Sequence, residues 1–443
     1  MKQKYLKTLV ALLLLGALWG ALILYDRRTS SAEKATSNPP QEKILPLASS
    51  HIQSVTFKPR DGEAFTCRRE GKDWAIVEPK KLPADQSAIS SLLTNLTSAA
   101  VEDVVAAQPT NLKDFGLDPP VESLEVSTDA KPEKVALRLG EETPTSGGLY
   151  AQVGDNPRVV SLASYLKTSL EKNLFDVRDK RAMTLDADQI HRIEVEAKGK
   201  RWTVAKNPDG IWDVELPPPV RADRFAVEGL VNQLRNLSMQ SIVAEDKKKS
   251  AAYGLGSPLL VVKLTSPAGS QSIVLGRKDG DKYDAMNSAL DPVFTVNADV
   301  LTQFQKDPAD LRNKDLFAFS PFDANHLEVE TPKGHWVFDK QKDTWKEIAP
   351  KAKDLPADKA QSLLTNIHDL RATSFPSNGT PAAVGLTKPA YRFQVQFGDK
   401  NQKDVVEAAK LGDHVYARRS DDPLASELPK TALDEIEKAL GEL

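Results

Sequence analysis

The sequence predicts an α+β chain: an N-terminal transmembrane helix followed by three tandem repeats of antiparallel sheet plus helices. Three observations point there. An uncharged run of 18 residues, Thr8 to Tyr25, stands near the start. A stretch of bulky residue, Gly and Leu occurs three times, as Phe115-Gly116-Leu117, Tyr253-Gly254-Leu255 and Val384-Gly385-Leu386, each with a proline soon after (Pro119, Pro258, Pro389). An apolar helix pattern follows a tryptophan at the same distance in each copy. The chain then divides into a tail and anchor (residues 1–28), a flexible stalk (29–50) and repeats at 51–184, 185–320 and 321–443.

As a helix, Thr8 to Tyr25 is about 27 Å long, close to the thickness of a bilayer core. Lys2, Lys4 and Lys7 precede it, Asp26, Arg27 and Arg28 follow, and Trp19 and Tyr25 suit the far interface. The run is longer than the apolar core of a cleaved signal peptide, and no small-x-small site directly follows it. A short tail before a long body predicts tail in, bulk out, although both flanks are basic. Residues 29–46 are polar, with Pro39-Pro40, and read as a flexible tether.

Each repeat opens on alternating strands with Gly turns. The first has Ile52-Gln53-Ser54-Val55-Thr56-Phe57, the second Ile193-Glu194-Val195-Glu196, the third Leu327-Glu328-Val329-Glu330. Period-2 alternation predicts a meander with one buried face. Trp74, Trp212 and Trp345 sit on the last strand of each meander. The helix begins its apolar stripe 15 residues later, as Ile89/Leu92/Leu93/Leu96, Val227/Leu230/Val231/Leu234 and Ala360/Leu363/Leu364/Ile367. Asp85, Asp223 and Asp358 stand at the cap or in the first turn.

The recurring Gly-Leu stretch follows the helix. In the first copy Leu112 to Phe115 reads as a helical turn closed by Gly116 with φ > 0, Leu117 folding back on Leu112. The other copies keep Gly254-Leu255 and Gly385-Leu386 without an apolar residue at the Leu112 position. A second sheet segment is predicted beyond each, with Leu139-Gly140, Leu275-Gly276 and Leu411-Gly412, then Tyr150, Tyr283 and Tyr416 in register. Closing helices are predicted at Leu162–Leu174, Val300–Phe304 and Leu433–Leu440. Charged joints follow the first two, Arg178-Asp179-Lys180 and Arg312-Asn313-Lys314.

Chemistry is sparse. A net charge of −3 and 6% aromatics argue against nucleic acid as a partner. Six histidines are scattered without HxxxH or HExxH spacing, so no metal site is predicted. Asp186 and Asp188 read as turn or cap residues, Lys247-Lys248-Lys249 as a solvated loop, and Cys67 as a small buried strand residue. No GxSxG or phosphate-cradling motif occurs. Hence no catalytic residue and no cofactor are predicted. The residues singled out are framework: Trp74, Phe115, Gly116, Leu117, Trp212, Tyr253, Gly254, Leu255, Trp345, Gly385 and Leu386.

The whole pattern, one N-terminal span and then repeated Trp strand, Leu-rich helix, Phe115-Gly116-Leu117-Asp118-Pro119 or Tyr253-Gly254-Leu255-Gly256-Ser257-Pro258, resembles the bacterial family called domain of unknown function 4340. The resemblance covers residues 51–443, with Val384 replacing the aromatic in the third copy. It implies a membrane-tethered envelope protein, since members often accompany ABC-type transport systems related to gliding-motility exporters. The family has no established catalytic residues. The expectation is therefore an inner-membrane protein with its bulk in the periplasm, a non-catalytic interaction or accessory module. A periplasmic glycan- or lipid-binding protein is the alternative.

Overall fold

The computed structural model describes residues 42–144, 147–342 and 344–443. The expected anchor at residues 8–25 and most of the stalk lie outside them. Among the described residues no helix is long and apolar enough to cross a membrane. The chain forms two compact units, one ending at Lys180 and the other running Arg181–Leu443.

The first unit holds one antiparallel sheet. Its strands are β1 (Ile52–Pro59), β2 (Phe65–Glu70), β3 (Asp73–Glu78), β4 (Leu82–Pro83), β5 (Asp103–Ala106), β6 (Glu122–Thr128), β7 (Lys134–Glu142), β8 (Leu149–Val153) and β9 (Val159–Leu162). Their spatial order is β4-β3-β2-β1-β6-β7-β8-β9-β5. Helix α1 (Gln86–Ser98) packs Ile89, Leu92, Leu93 and Leu96 into the core, as its periodicity requires. Asp85 caps it, accepting from the N–H groups of Ser87 and Ala88 at 2.9 and 3.0 Å. Short helices α2 (Tyr165–Leu170) and α3 (Leu174–Val177) close the unit.

The second unit repeats this order twice. Its first sheet comprises β10 (Arg192–Ala197), β11 (Lys200–Lys206), β12 (Trp212–Val214), β13 (Val220–Arg221), β14 (Ser241–Ala244), β15 (Leu260–Ser266), β16 (Gly269–Asp279), β17 (Lys282–Asn287) and β18 (Val293–Asn297), with helices α4 (Arg224–Arg235) and α5 (Asp299–Phe304). Its second comprises β19 (Ala324–Thr331), β20 (Gly334–Gln341), β21 (Thr344–Ala349), β22 (Lys353–Asp354), β23 (Tyr391–Phe397), β24 (Gln402–Leu411), β25 (His414–Arg419) and β26 (Ser426–Leu428), with α6 (Ala357–His368) and α7 (Ala432–Gly441). The sheets have nine, nine and eight strands, so the threefold repeat holds, and with few helices the protein is mostly β.

Several expectations are corrected. The two strand sets of each repeat are not separate sheets. The opening strand pairs with the first strand beyond the Gly-Leu stretch (β1 with β6, β10 with β15, β19 with β23), fusing both into one sheet. The helix expected over Leu162–Leu174 is instead the end of β9 followed by α2 and α3, because the β-rich Val159-Val160-Ser161-Leu162 pairs with β8. Ile44 and Leu45, assigned to the stalk, are buried, and Ile44 donates to the Ala99 carbonyl at 3.0 Å. Equivalent segments at Ala182-Met183 and Leu316-Phe317 open the other repeats, each bridged to the residues after the helix.

Candidate functional site

The framework residues are built inward. Trp74, Trp212 and Trp345 are 7%, 7% and 8% exposed, each at the edge of the core beside the principal helix. Gln86, the first residue of α1, brackets Trp74 by accepting from its N–H at 2.8 Å and donating to its carbonyl at 2.9 Å. Gly116, Gly254 and Gly385 have φ of 65°, 73° and 77°, the left-handed values expected of them. Leu117 and Gly116 donate to the Leu112 and Lys113 carbonyls, and Leu255 and Gly254 donate to those of Ser250 and Ala251. That is the Schellman pattern in both copies, and the Leu386 to Pro381 bond keeps its longer link in the third.

These caps dock on the sheet face opposite the principal helix. Backbone approaches backbone: a Cβ on Gly140 would stand 2.1 Å from the Phe115 carbonyl oxygen, and one on Gly276 2.2 Å from that of Tyr253. The third copy differs. Strand register places Ala408-Ala409, not Leu411-Gly412, opposite the first two Leu-Gly pairs. The tyrosines are also corrected. Ala151, Ala285 and Ala417 align, so Asp284 occupies the position of Tyr150 and Tyr416, and Tyr283 points to the other face. Tyr150 meets Phe115 edge-on at 5.1 Å, whereas Tyr253 lies under Arg277, which pairs with buried Asp284 at 3.2 Å.

Three clefts lie along the principal helices. One of 410 Å³ sits beside Trp74, whose ring is covered by the Arg69 guanidinium at 5.0 Å. A second, of 330 Å³, occupies the equivalent place beside Trp212, with the Lys206 ammonium at 5.2 Å. The largest, of 460 Å³, lies between α4 and α5 and is lined by Asn232, Gln233, Asn236, Gln240, Asn297 and Asp299. The amides of Asn232, Gln233, Asn236 and Asn297 make no hydrogen bond to the described residues, so this cleft offers unspent donors and acceptors. Gly229 on its wall stands where the sister helices carry Ser91 and Ser362. Sequence reasoning missed this cleft because its residues belong to a helix, a loop and a distant strand end.

Among buried titratable groups, Glu122 is 3% exposed, and its Oε1 has no hydrogen-bond partner. Burial, and then the Glu171 carboxylate, push it up to about 8. Its sheet position is filled by Leu260 and Tyr391 in the other repeats. Cys67 is fully buried, and burial pushes its thiol up to about 12, which makes it a poor nucleophile. The outer sheet faces carry paired charges, such as Lys58 with Glu125 and Arg418 with Glu407. Asp186 caps a turn by accepting from the Asp188 N–H, as read from the sequence, whereas Lys247-Lys248-Lys249, expected as a loop, opens a 3-10 helix over Lys247–Tyr253 in which the Asp246 side chain accepts from the Lys248 N–H.

No curated protein matches the chain. Among solved structures, a DnaN sliding clamp (DNA polymerase III subunit beta) from Pseudomonas aeruginosa bound to griselimycin is 9% identical, covering 87% of this chain and 91% of the clamp. A second structure of that subunit, also 9% identical, covers 87% and 93%. Their TM-scores of 0.13 carry no inference about fold or function. The family described as domain of unknown function DUF4340 matches at residues 74–219 and again at 212–389, each match opening on a framework tryptophan. With two tandem matches running from Trp74 to Pro389, the chain belongs to the DUF4340 family.

Proposed function

We propose that this protein is a non-catalytic interaction module of the bacterial inner membrane, anchored by residues 8–25 with its bulk in the periplasm. It serves an ABC-type transporter or another envelope complex as an accessory subunit. The observation that carries this reading is the fate of the recurring residues. The three tryptophans are at most 8% exposed, so what the repeat preserves is the framework, and what varies is the polar surface around it. Triplicated sheets on a membrane tether give a broad surface suited to a protein partner. The test is purification of the full chain from membranes in mild detergent after mild crosslinking. Enrichment of transporter or other envelope subunits is expected, and a protein recovered alone overturns the reading.

The amide-lined cleft between α4 and α5 favours a second reading, a periplasmic ligand-binding protein. Side-chain amides without protein partners match the hydroxyls of a glycan, each both donor and acceptor. Calorimetry with cell-envelope oligosaccharides, comparing wild type with Asn232→Ala/Asn297→Ala, separates the readings. Saturable heat lost in the variant supports a ligand site, and no heat with any oligosaccharide removes it.

A further inference from the structure

We propose that the outer face of the third sheet binds a divalent transition-metal cation through Glu328, Glu330 and His335. In β19, residues 326, 328 and 330 share one face, and pairing with β20 sets Glu330 opposite His335 and Glu328 diagonal to it. One ligand atom from each of the three lies within 4.8 Å of the others, and His335 Nε2 is 2.9 Å from Glu328 Oε1. A first-row cation with bonds of about 2.1 Å needs its donors roughly 3–3.5 Å apart. Rotamer adjustment of half-exposed side chains closes that difference.

The second repeat is an internal control. Glu194 and Glu196 occupy the positions of Glu328 and Glu330. There, fixed cations neutralise them: Arg192 at 3.0 Å and Lys263 at 3.2 Å from Glu194, and Arg201 at 2.9 Å from Glu196. The third repeat replaces all three. His326 stands for Arg192, Gln394 for Lys263 and His335 for Arg201. Two carboxylates thus lose their built-in countercharges and gain imidazoles beside them. One cation is gained: Arg392, in the place of Val261, lies 3.8 Å from Glu330, farther than the cations of the second repeat lie from their carboxylates. His326 is held by Asp339 at 2.6 Å on the same face and flanks the site. An imidazole with two carboxylates is a donor set for Zn²⁺, Co²⁺ or Ni²⁺ rather than for an all-oxygen cation such as Ca²⁺. Its exposure leaves coordination positions for water or a partner's side chain.

The experiment titrates the full chain, freed of any polyhistidine tag, with Co²⁺ followed by d–d absorption and with Zn²⁺ by calorimetry. One saturable site is expected in the wild type. His335→Arg/Gln394→Lys, which rebuilds the second repeat's pattern, and Glu328→Gln separately, should each weaken it by at least roughly tenfold. Glu194→Gln in the second repeat should leave it unchanged. Melting curves confirm that each variant is folded, and Glu328→Gln, on an exposed face, keeps the test open if the double variant is not. A wild type without a saturable site, or folded variants that bind as well as it does, overturns the proposal.

Discussion

Gly116 shows how a single residue carries the repeat. A side chain there meets two penalties: left-handed backbone, about 1–2 kcal/mol for any L residue, and a Cβ 2.3 Å from Glu141 Cγ and 2.8 Å from its backbone N. Gly254 has the same φ penalty and a 2.9 Å approach to the Arg277 N, whereas a Cβ on Gly385 would find its nearest neighbour at 3.9 Å. Gly116→Val and Gly254→Val should therefore lower the melting temperature more than Gly385→Val, which carries the backbone cost alone; equal losses would refute that order. Glu122 predicts a pH dependence. Its folded value, about 8, lies above the ordinary carboxyl range. Its contribution is fully present below pH ~4.5 and is lost as pH rises through about 8, where a charge must be buried. Glu122→Gln should flatten the fall in melting temperature between pH 5 and 8 and raise stability at pH 8 by roughly 1–3 kcal/mol. A melting profile with the same slope in both proteins would refute it. The glycine φ values were legible because few residues but Gly suit that backbone. Asp284 standing at the tyrosine position was not, because a one-residue offset in register changes the face without changing the alternation.

The opening segments of the second and third repeats are held by polar side chains reaching out from the sheet. In the second repeat Gln271 accepts from the Thr184 N–H at 3.2 Å, and Asn287 donates to the Ala182 carbonyl at 2.7 Å. The third repeat does the same with charges: Asp404 accepts from the Ala318 N–H at 2.7 Å, Arg419 donates to the Leu316 carbonyl at 3.3 Å, and the two pair at 2.9 Å. Asp404 and Arg419 side chains are only 4% and 10% exposed, so removing Arg419 leaves the Asp404 carboxylate buried without its countercharge, whereas removing Asp404 leaves Arg419 paired with Asp421 at 2.9 Å. Arg419→Ala should cost about 3–5 kcal/mol, and Asp404→Ala less, because Asp421 still pairs with Arg419. The double variant Asp404→Gln/Arg419→Asn, which installs the neutral pair of the second repeat, should recover much of that, as denaturant unfolding would measure. A double variant no more stable than the singles would break the claimed equivalence. Strand alternation and the helical stripes were legible because both are local periodicities. The union of two strand sets into one sheet was not, since β1 meets β6 only after a helix and a cap intervene. The proposed metal ligands escaped for the same reason. Helical spacing rules look along the chain, while Glu328 and His335 meet across a hairpin.

Each repeat is a molecule in miniature, but the degree of independence differs. Among the described residues, the buried core around α1 draws on residues between Ile44 and Val177, and that around α6 on residues from Leu316 to Leu440 with Leu443 packed against it. The second and third repeats are nevertheless tied within their unit. Arg221 donates to the Asp315 carbonyl at 3.2 Å, at the joint into the third repeat. Arg221 lies 3.9 Å from Asp422 and Arg312 packs its guanidinium 3.8 Å from the centre of the Phe375 ring. Burial lowers the pKa of both arginines, so each charge is held where water is scarce and depends on what surrounds it. A fragment of residues 42–180 should accordingly fold alone, with strand-type circular dichroism and one cooperative thermal transition. A fragment ending at Lys314 and starting at Arg181 keeps both arginines but loses Asp422 and Phe375, and should be less stable than the same repeat within residues 181–443 by roughly 1–3 kcal/mol. Hydrogen exchange of the α4 amides reads that difference directly. Equal protection in the short and long fragments would mean that the arginines contribute nothing across the joint.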